Sequence, residues 1–202
     1  MSRAAIFRKI EAATAAIKVK AARPDYAAAI THAAPKLAGG DLLEIFARNL
    51  AAVSGRTMRS VAELLAFLTA NKQCHGYCDP ALYERVGAPL AAAGLTVETA
   101  YDRTRYDDYQ FGITQASGAI AESGSLILDD ERTSRRLAAL SPWIHVAVLE
   151  PAAIHRTIGD ALAALGASPN IIWVTGPSKT ADVEGILIEG VHGPGEQIAL
   201  VL

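Results

Sequence analysis

Three short segments hold the residue types that do chemistry. Ala121-Glu122-Ser123-Gly124-Ser125 places one carboxylate between apolar runs, flanked by hydroxyls. Such a carboxylate serves as acid, base, nucleophile or ligand anchor, or is simply part of a solvated turn. Thr175-Gly176-Pro177-Ser178-Lys179-Thr180-Ala181-Asp182 follows an apolar run. Ligands in open α/β sheets bind just beyond strand ends, so this loop is a candidate anion site. In that reading Ser178 and Thr180 cap a short helix whose free N–H groups face the anion, and Lys179 supplies the counter-charge. A capped turn without a ligand is the equal alternative. Gly190-Val191-His192-Gly193-Pro194-Gly195 adds an imidazole in a glycine-rich loop. His192 is the best placed of the five histidines, whereas His145 interrupts an apolar strand and reads as a satisfied core residue. Cys74-His75-x-x-Cys78 suggests a metal, but nothing nearby completes a four-ligand set, so packing cysteines are the favoured reading.

The elements that must position these segments follow from periodicity. Ile6, Ile10, Ala13 and Ile17 mark one helix face, and Arg23-Pro24 ends that helix. Asp41 with Glu44 and Ser60 with Glu63 are capping signals for two more helices. A strand at Gly76–Cys78, a helix from Asp79-Pro80 to Gly94 and a strand at Leu95–Thr99 form a β-α-β unit. Ala119–Ala121 and Ser125–Leu128 form a tight hairpin around Glu122. Arg132–Leu140 reads as a short helix. Trp143–Leu149, a helix over Pro151–Leu165 and Asn170–Thr175 read as a second β-α-β unit, and Gln197–Val201 as the last strand.

Composition bounds the rest. The chain has 202 residues, 51% of them hydrophobic and 20% charged, which excludes a disordered polymer. Residues 1–72 carry 11 Lys/Arg against 5 Asp/Glu, and residues 73–202 carry 8 against 16. The expected division is therefore a helical segment over 1–72 and an α/β domain over 73–202. Charges scattered through the first twenty residues leave no room for a signal-peptide core, and no run approaches a membrane span. A cytoplasmic protein is the expectation. The slight net negative charge speaks against a nucleic-acid binder. No G-x-G-x-x-G, P-loop or G-x-S-x-G pattern occurs.

Taken together, the Gly112-Ile113-Thr114, Ala119-to-Ser125, Thr175-to-Glu184 and Gly190-to-Pro194 segments resemble the lactate utilization protein C family, the LUD domain, most specifically over Ser178–Asp182 and Gly190–Pro194. Ser123 and Ser125 stand where that family more often has threonine. The resemblance implies a mostly parallel sheet flanked by helices, similar to the ribose-phosphate isomerase and CoA-transferase group. It implies a cytoplasmic L-lactate to pyruvate oxidation system whose iron–sulfur clusters sit in partner proteins, with no cofactor held by this chain alone. The candidate catalytic residues are then Glu122, His192 and Asp182. The candidate ligand-binding residues are Thr114, Ser123, Gly124, Gly176, Ser178, Lys179, Thr180 and Gly193. Two other readings remain open: a stand-alone enzyme of CoA-transferase or sugar-phosphate isomerase type with Glu122 as nucleophile or base, and a non-catalytic assembly subunit docking through residues 1–72.

Overall fold

The computed structural model describes residues 2–17, 34–129, 136–165, 170–181 and 186–202. The chain divides into two compact units, Met1–His32 and Ala33–Leu202. The first contains α1 (Arg3–Thr14), N-capped by Ser2, with no buried residue. Its face of Ile6, Ile10 and Ile17 is exposed.

The second unit is built on six parallel strands in the order β1-β12-β7-β4-β2-β3. These are β1 (Arg56–Met58), β2 (His75–Cys78), β3 (Thr96–Glu98), β4 (Phe111–Gln115), β7 (Ile144–Leu149) and β12 (Glu196–Val201). Alternation along β7 sets the layers. Ile144, Val146 and Val148 face a core shared with Leu64 and Leu68 of α3 (Val61–Ala70) and Leu90 of α4 (Ala88–Ala92). Ala147 and Leu149 face a second core with Ile45, Phe46 and Leu50 of α2 (Leu42–Ala52) and Ala139 of α5 (Arg136–Leu140). Burying each such leucine contributes roughly 2 kcal/mol.

The second core is closed by a four-stranded sheet, β8-β5-β6-β9, formed by β5 (Gly118–Ile120), β6 (Ser125–Asp129), β8 (Ile154–His155) and β9 (Ile171–Val174). Leu126 and Leu128 of β6 point into that core, while Ile127 points outward to Ala161 of α6 (Ile158–Leu165). A small hairpin, β10 (Lys179–Ala181) with β11 (Leu187–Glu189), completes the fold. A mostly parallel central sheet flanked by helices is what the sequence leads one to expect.

The capping signals form as read. Asp41 and Glu44 make a reciprocal box at α2, and Ser60 accepts from Glu63 N at α3. The first β-α-β unit is present, with β2 and β3 parallel. Its helix begins as a 3-10 turn capped by Asp79 and widens into a π turn, where Ala88 N donates to Tyr83 O; Pro89, lacking an N–H, follows directly.

Four expectations are corrected. The compact α/β unit begins at Ala33 rather than at residue 73, because β1 pairs with β12 and the apolar stripes of α2 and α3 fill both cores. The helix expected over Pro151–Leu165 is broken: Ile154 and His155 pair with β5, and only Ile158–Leu165 is helical. The second expected β-α-β unit does not form, since β9 pairs antiparallel with β6 in the other sheet. Ser178 and Thr180 cap no helix, because Lys179–Ala181 is extended and pairs with the apolar β11. The Arg132–Leu140 helix is described only over 136–140. Among the described residues, no helix is long and apolar enough to cross a membrane.

Candidate functional site

The β5–β6 hairpin carries Glu122 at its tip, as expected from the sequence. Gly124 closes the turn, its N–H donating to Ile120 O at 3.0 Å with φ +67°. A Cβ on Gly124 would strike the backbone of Asn49 and Leu50, so the hairpin tip lies directly on α2. Asn49 ties it there: its buried amide donates to Ala121 O at 2.7 Å and to Lys36 O at 2.9 Å. Glu122 is buried, and its Oε2 has no hydrogen-bond partner among the described residues. From the same tip a file of hydroxyls runs outward: Ser123 Oγ to Ser125 Oγ at 2.8 Å, then Ser125 Oγ to Thr175 Oγ1 at 2.6 Å.

Thr175 begins the loop after β9. Gly176 lies against the carbonyl of Val53 at the end of α2. Lys179 reaches the same helix end, donating to Val53 O at 3.1 Å and to Ser54 Oγ at 3.0 Å, with Glu189 at 3.3 Å. A cation there complements the carbonyl end of the helix. Its ammonium is thus engaged by α2 and Glu189.

The glycine-rich loop is organised by Trp143. A Cβ on Gly190 or Gly195 would collide with the indole, and Gly190 also holds φ +80°. Those two glycines make room for the ring. Ser178 links this loop to β10: its N–H donates to Pro194 O at 2.8 Å and its carbonyl accepts from Gly190 N at 2.9 Å. The Cα of Gly193 faces Ser178 Oγ.

Between the loops lies a pocket of about 260 Å3 bordered by Leu140, Ile172, Val174, Thr175, Gly176, Ser178, His192, Gly193 and Gln197, among others. It gathers Gly176, Ser178, His192 and Gly193 from the residues expected to form a site. Glu122, Ser123, Gly124 and Lys179 do not border it; they surround the end of α2, connected to it through Thr175. Thr180 pairs with Ile188 in the β10–β11 hairpin. Asp182 lies outside the described residues. Thr114 sits under the pocket, in a buried file across three strands: Thr114 Oγ1 to His145 Nε2 at 2.8 Å, and His145 Nδ1 to Gln197 Oε1 at 2.8 Å. Burial pushes the His145 imidazole down to about 4, against the opposing pull of its Gln197 hydrogen bond. The expectation of a satisfied core histidine holds. Gln197 was not singled out, although a glutamine opening an otherwise apolar final strand was a visible signal.

The cysteines form no pair. Cys74 is exposed ahead of β2, and Cys78 is buried, its thiol pushed up to about 12 by burial and by the neighbouring Asp79. Among the described residues no cluster of three or more His, Cys, Asp or Glu is placed to hold a metal. His75 instead meets Glu98 at 2.8 Å; Glu98 also receives Arg105 at 3.1 Å and Tyr109 at 3.2 Å.

The model of the LUD domain family matches residues 84–202. Lactate utilization protein C of Deinococcus radiodurans is 32% identical over 117 residues, covering 54% of this chain and 55% of that protein. The protein of the same name from Bacillus licheniformis is 30% identical over 106 residues, covering 48% of this chain and 44% of that protein. The chain spans about half the length of the curated relatives it matches. A crystal structure of a DUF162 family protein from Deinococcus radiodurans superposes with a TM-score of 0.58 at 24% identity, covering 79% of this chain and 95% of that one. That likeness is one of fold.

Proposed function

This chain belongs to the LUD domain family, and on that premise we propose that it serves lactate utilization, as a subunit of an L-lactate to pyruvate oxidation system that binds a small anionic ligand. The names of its relatives support the pathway. The observation that carries the ligand is the pocket where Ser178, His192 and Gly193 meet. Oxidising lactate to pyruvate removes two protons and two electrons. Iron–sulfur clusters held by partner proteins would take the two electrons, and the proton from the lactate α-carbon would leave to solvent. In this reading the exposed His192 ring at the pocket border takes the hydroxyl proton, and Ser178 and Thr175 donate hydroxyl hydrogen bonds to the anion. Glu122 does not border the pocket, and the hydroxyl file that reaches it at Thr175 starts from Ser123. A cytoplasmic setting belongs to the same reading.

The test is reconstitution. Iron–sulfur partners co-expressed with this chain should reduce an electron-accepting dye on addition of L-lactate, and those expressed without it should not. Equal rates in both preparations refute the proposal. His192→Ala should lower the rate in a chain that still folds.

A further inference from the structure

A second cavity, of about 320 Å3, opens where Gln73 precedes β2, Gln110 precedes β4 and Trp143 precedes β7. It shares Leu140 and Gly193 with the pocket described above, but not Ser178, His192 or Thr175. Two half-buried glutamines border it, and each has one end of its amide engaged. Gln110 Oε1 accepts from Cys74 N at 2.6 Å and from His75 N at 3.0 Å, which fixes that end as oxygen. The backbone of Gln110 is engaged as well, with His75 O and Ile144 N. Its amide nitrogen has no partner among the described residues. Gln73 is turned the other way: its amide nitrogen donates to Asn71 O at 3.1 Å, and its Oε1 is left without a partner. Both free ends are reached by solvent. Because the N–H of Cys74, next to Gln73, holds the Gln110 oxygen, a free donor and a free acceptor stand on one ledge of the wall.

Trp143 borders the same cavity. Gly190 and Gly195 press their backbone against its six-membered ring, where a Cβ would collide, yet the residue stays 51% exposed. An aromatic ring wedged in place and left half-open is a stacking surface. We propose that this cavity binds a planar nitrogen heterocycle that carries a hydrogen-bond donor beside an acceptor, a nucleobase or a nicotinamide-type carboxamide, stacked on Trp143 with its edge read by Gln110 and Gln73. A side-chain amide reads a base edge through one donor and one acceptor, and here two glutamines supply them. Stacking on an aromatic side chain adds affinity for any such ring. The border has the carboxylate of Asp107 and, among the described residues, no Lys or Arg, so the ring and not a phosphate carries recognition. The volume lies in the range of about 300–1,000 Å3 usual for small-molecule sites. None of the groups that would hold the anion in the other pocket is used.

The test titrates adenosine and nicotinamide into the full chain by calorimetry, with the Trp143 indole N–H followed by NMR and assigned from Trp143→Leu. At least one probe should bind and shift that signal, and the tighter of the two identifies the ring. The N,N-dimethyl form of the probe that binds keeps the ring but loses the donor, and it should bind at least about fivefold more weakly. Gln110→Glu keeps an acceptor for the two backbone N–H groups but removes the free donor. It and Trp143→Leu should each weaken binding by at least about fivefold in protein whose circular dichroism matches the parent. No binding of either probe at millimolar concentration overturns the proposal. Binding indifferent to methylation, or to both substitutions, overturns it too, and either failure leaves the anion reading of the other pocket in place.

Discussion

Lowering the pH from about 7.5 to about 5 will cost the fold roughly 2 kcal/mol through His145 alone. The side chain is completely buried between β4 and β12, and burial holds its folded pKa at about 4. In the unfolded chain the same ring takes a proton near about 6.5. Above that value both states leave it neutral and it contributes no pH dependence. Below it the unfolded state binds the proton alone, so stability falls as the pH falls. The loss saturates at about 3 kcal/mol once the pH drops under the folded value. Urea unfolding monitored by circular dichroism measures the effect at the two pH values, with His145→Gln as the control. The variant is less stable than the parent at pH 7.5, because Thr114 and Gln197 lose their partner. It should nevertheless lose roughly 2 kcal/mol less than the parent on acidification. A parent and variant with the same pH dependence would refute the argument, because the ring would then titrate alike in both states.

Three further outcomes are expected. Asn49→Ala should destabilise the chain by about 2 kcal/mol, since the carbonyls of Ala121 and Lys36 lose their donor; thermal or urea unfolding reads this out. Gly124→Ala should cost at least about 2 kcal/mol, because the new methyl meets α2 and the residue must keep a positive φ; a cost below about 0.5 kcal/mol would contradict the close approach. The Glu98 carboxyl should titrate below the usual glutamate midpoint, held down by His75 first and by Arg105 and Tyr109 next. Its NMR midpoint should move upward in His75→Gln.

Local signals were legible wherever a short segment decides its own structure. The capping box at Asp41, the N-cap at Ser60, the hairpin around Glu122 and the strand at Ile144–Leu149 all follow from residues within a few positions of one another. What escaped is decided by distant partners. The three-residue strand Arg56–Met58 has almost no pattern of its own and exists because β12 lies beside it. Asn170–Thr175 reads correctly as a strand, yet nothing in it says whether it joins β7 or β6. The site divided for the same reason. Ser178, His192 and Gly193 converge because Trp143 threads the glycine-rich loop, while Lys179 is drawn to the end of α2, which lies far away in the chain. Gln197 belongs to the pocket through a hydrogen-bond file across three strands, a relation that no local pattern displays.

The strand order also sets a schedule for folding. Among the described residues β12 follows every other strand of the parallel sheet in sequence, yet it lies inside that sheet, between β1 and β7. Until residues 196–201 leave the ribosome, β1 has no neighbour and β7 has one open edge. The nascent chain can form its helices and the β5–β6 hairpin early, but the central sheet must wait for its final segment. Closing such long-range pairs is slow, and the waiting edges are where premature association between chains would begin.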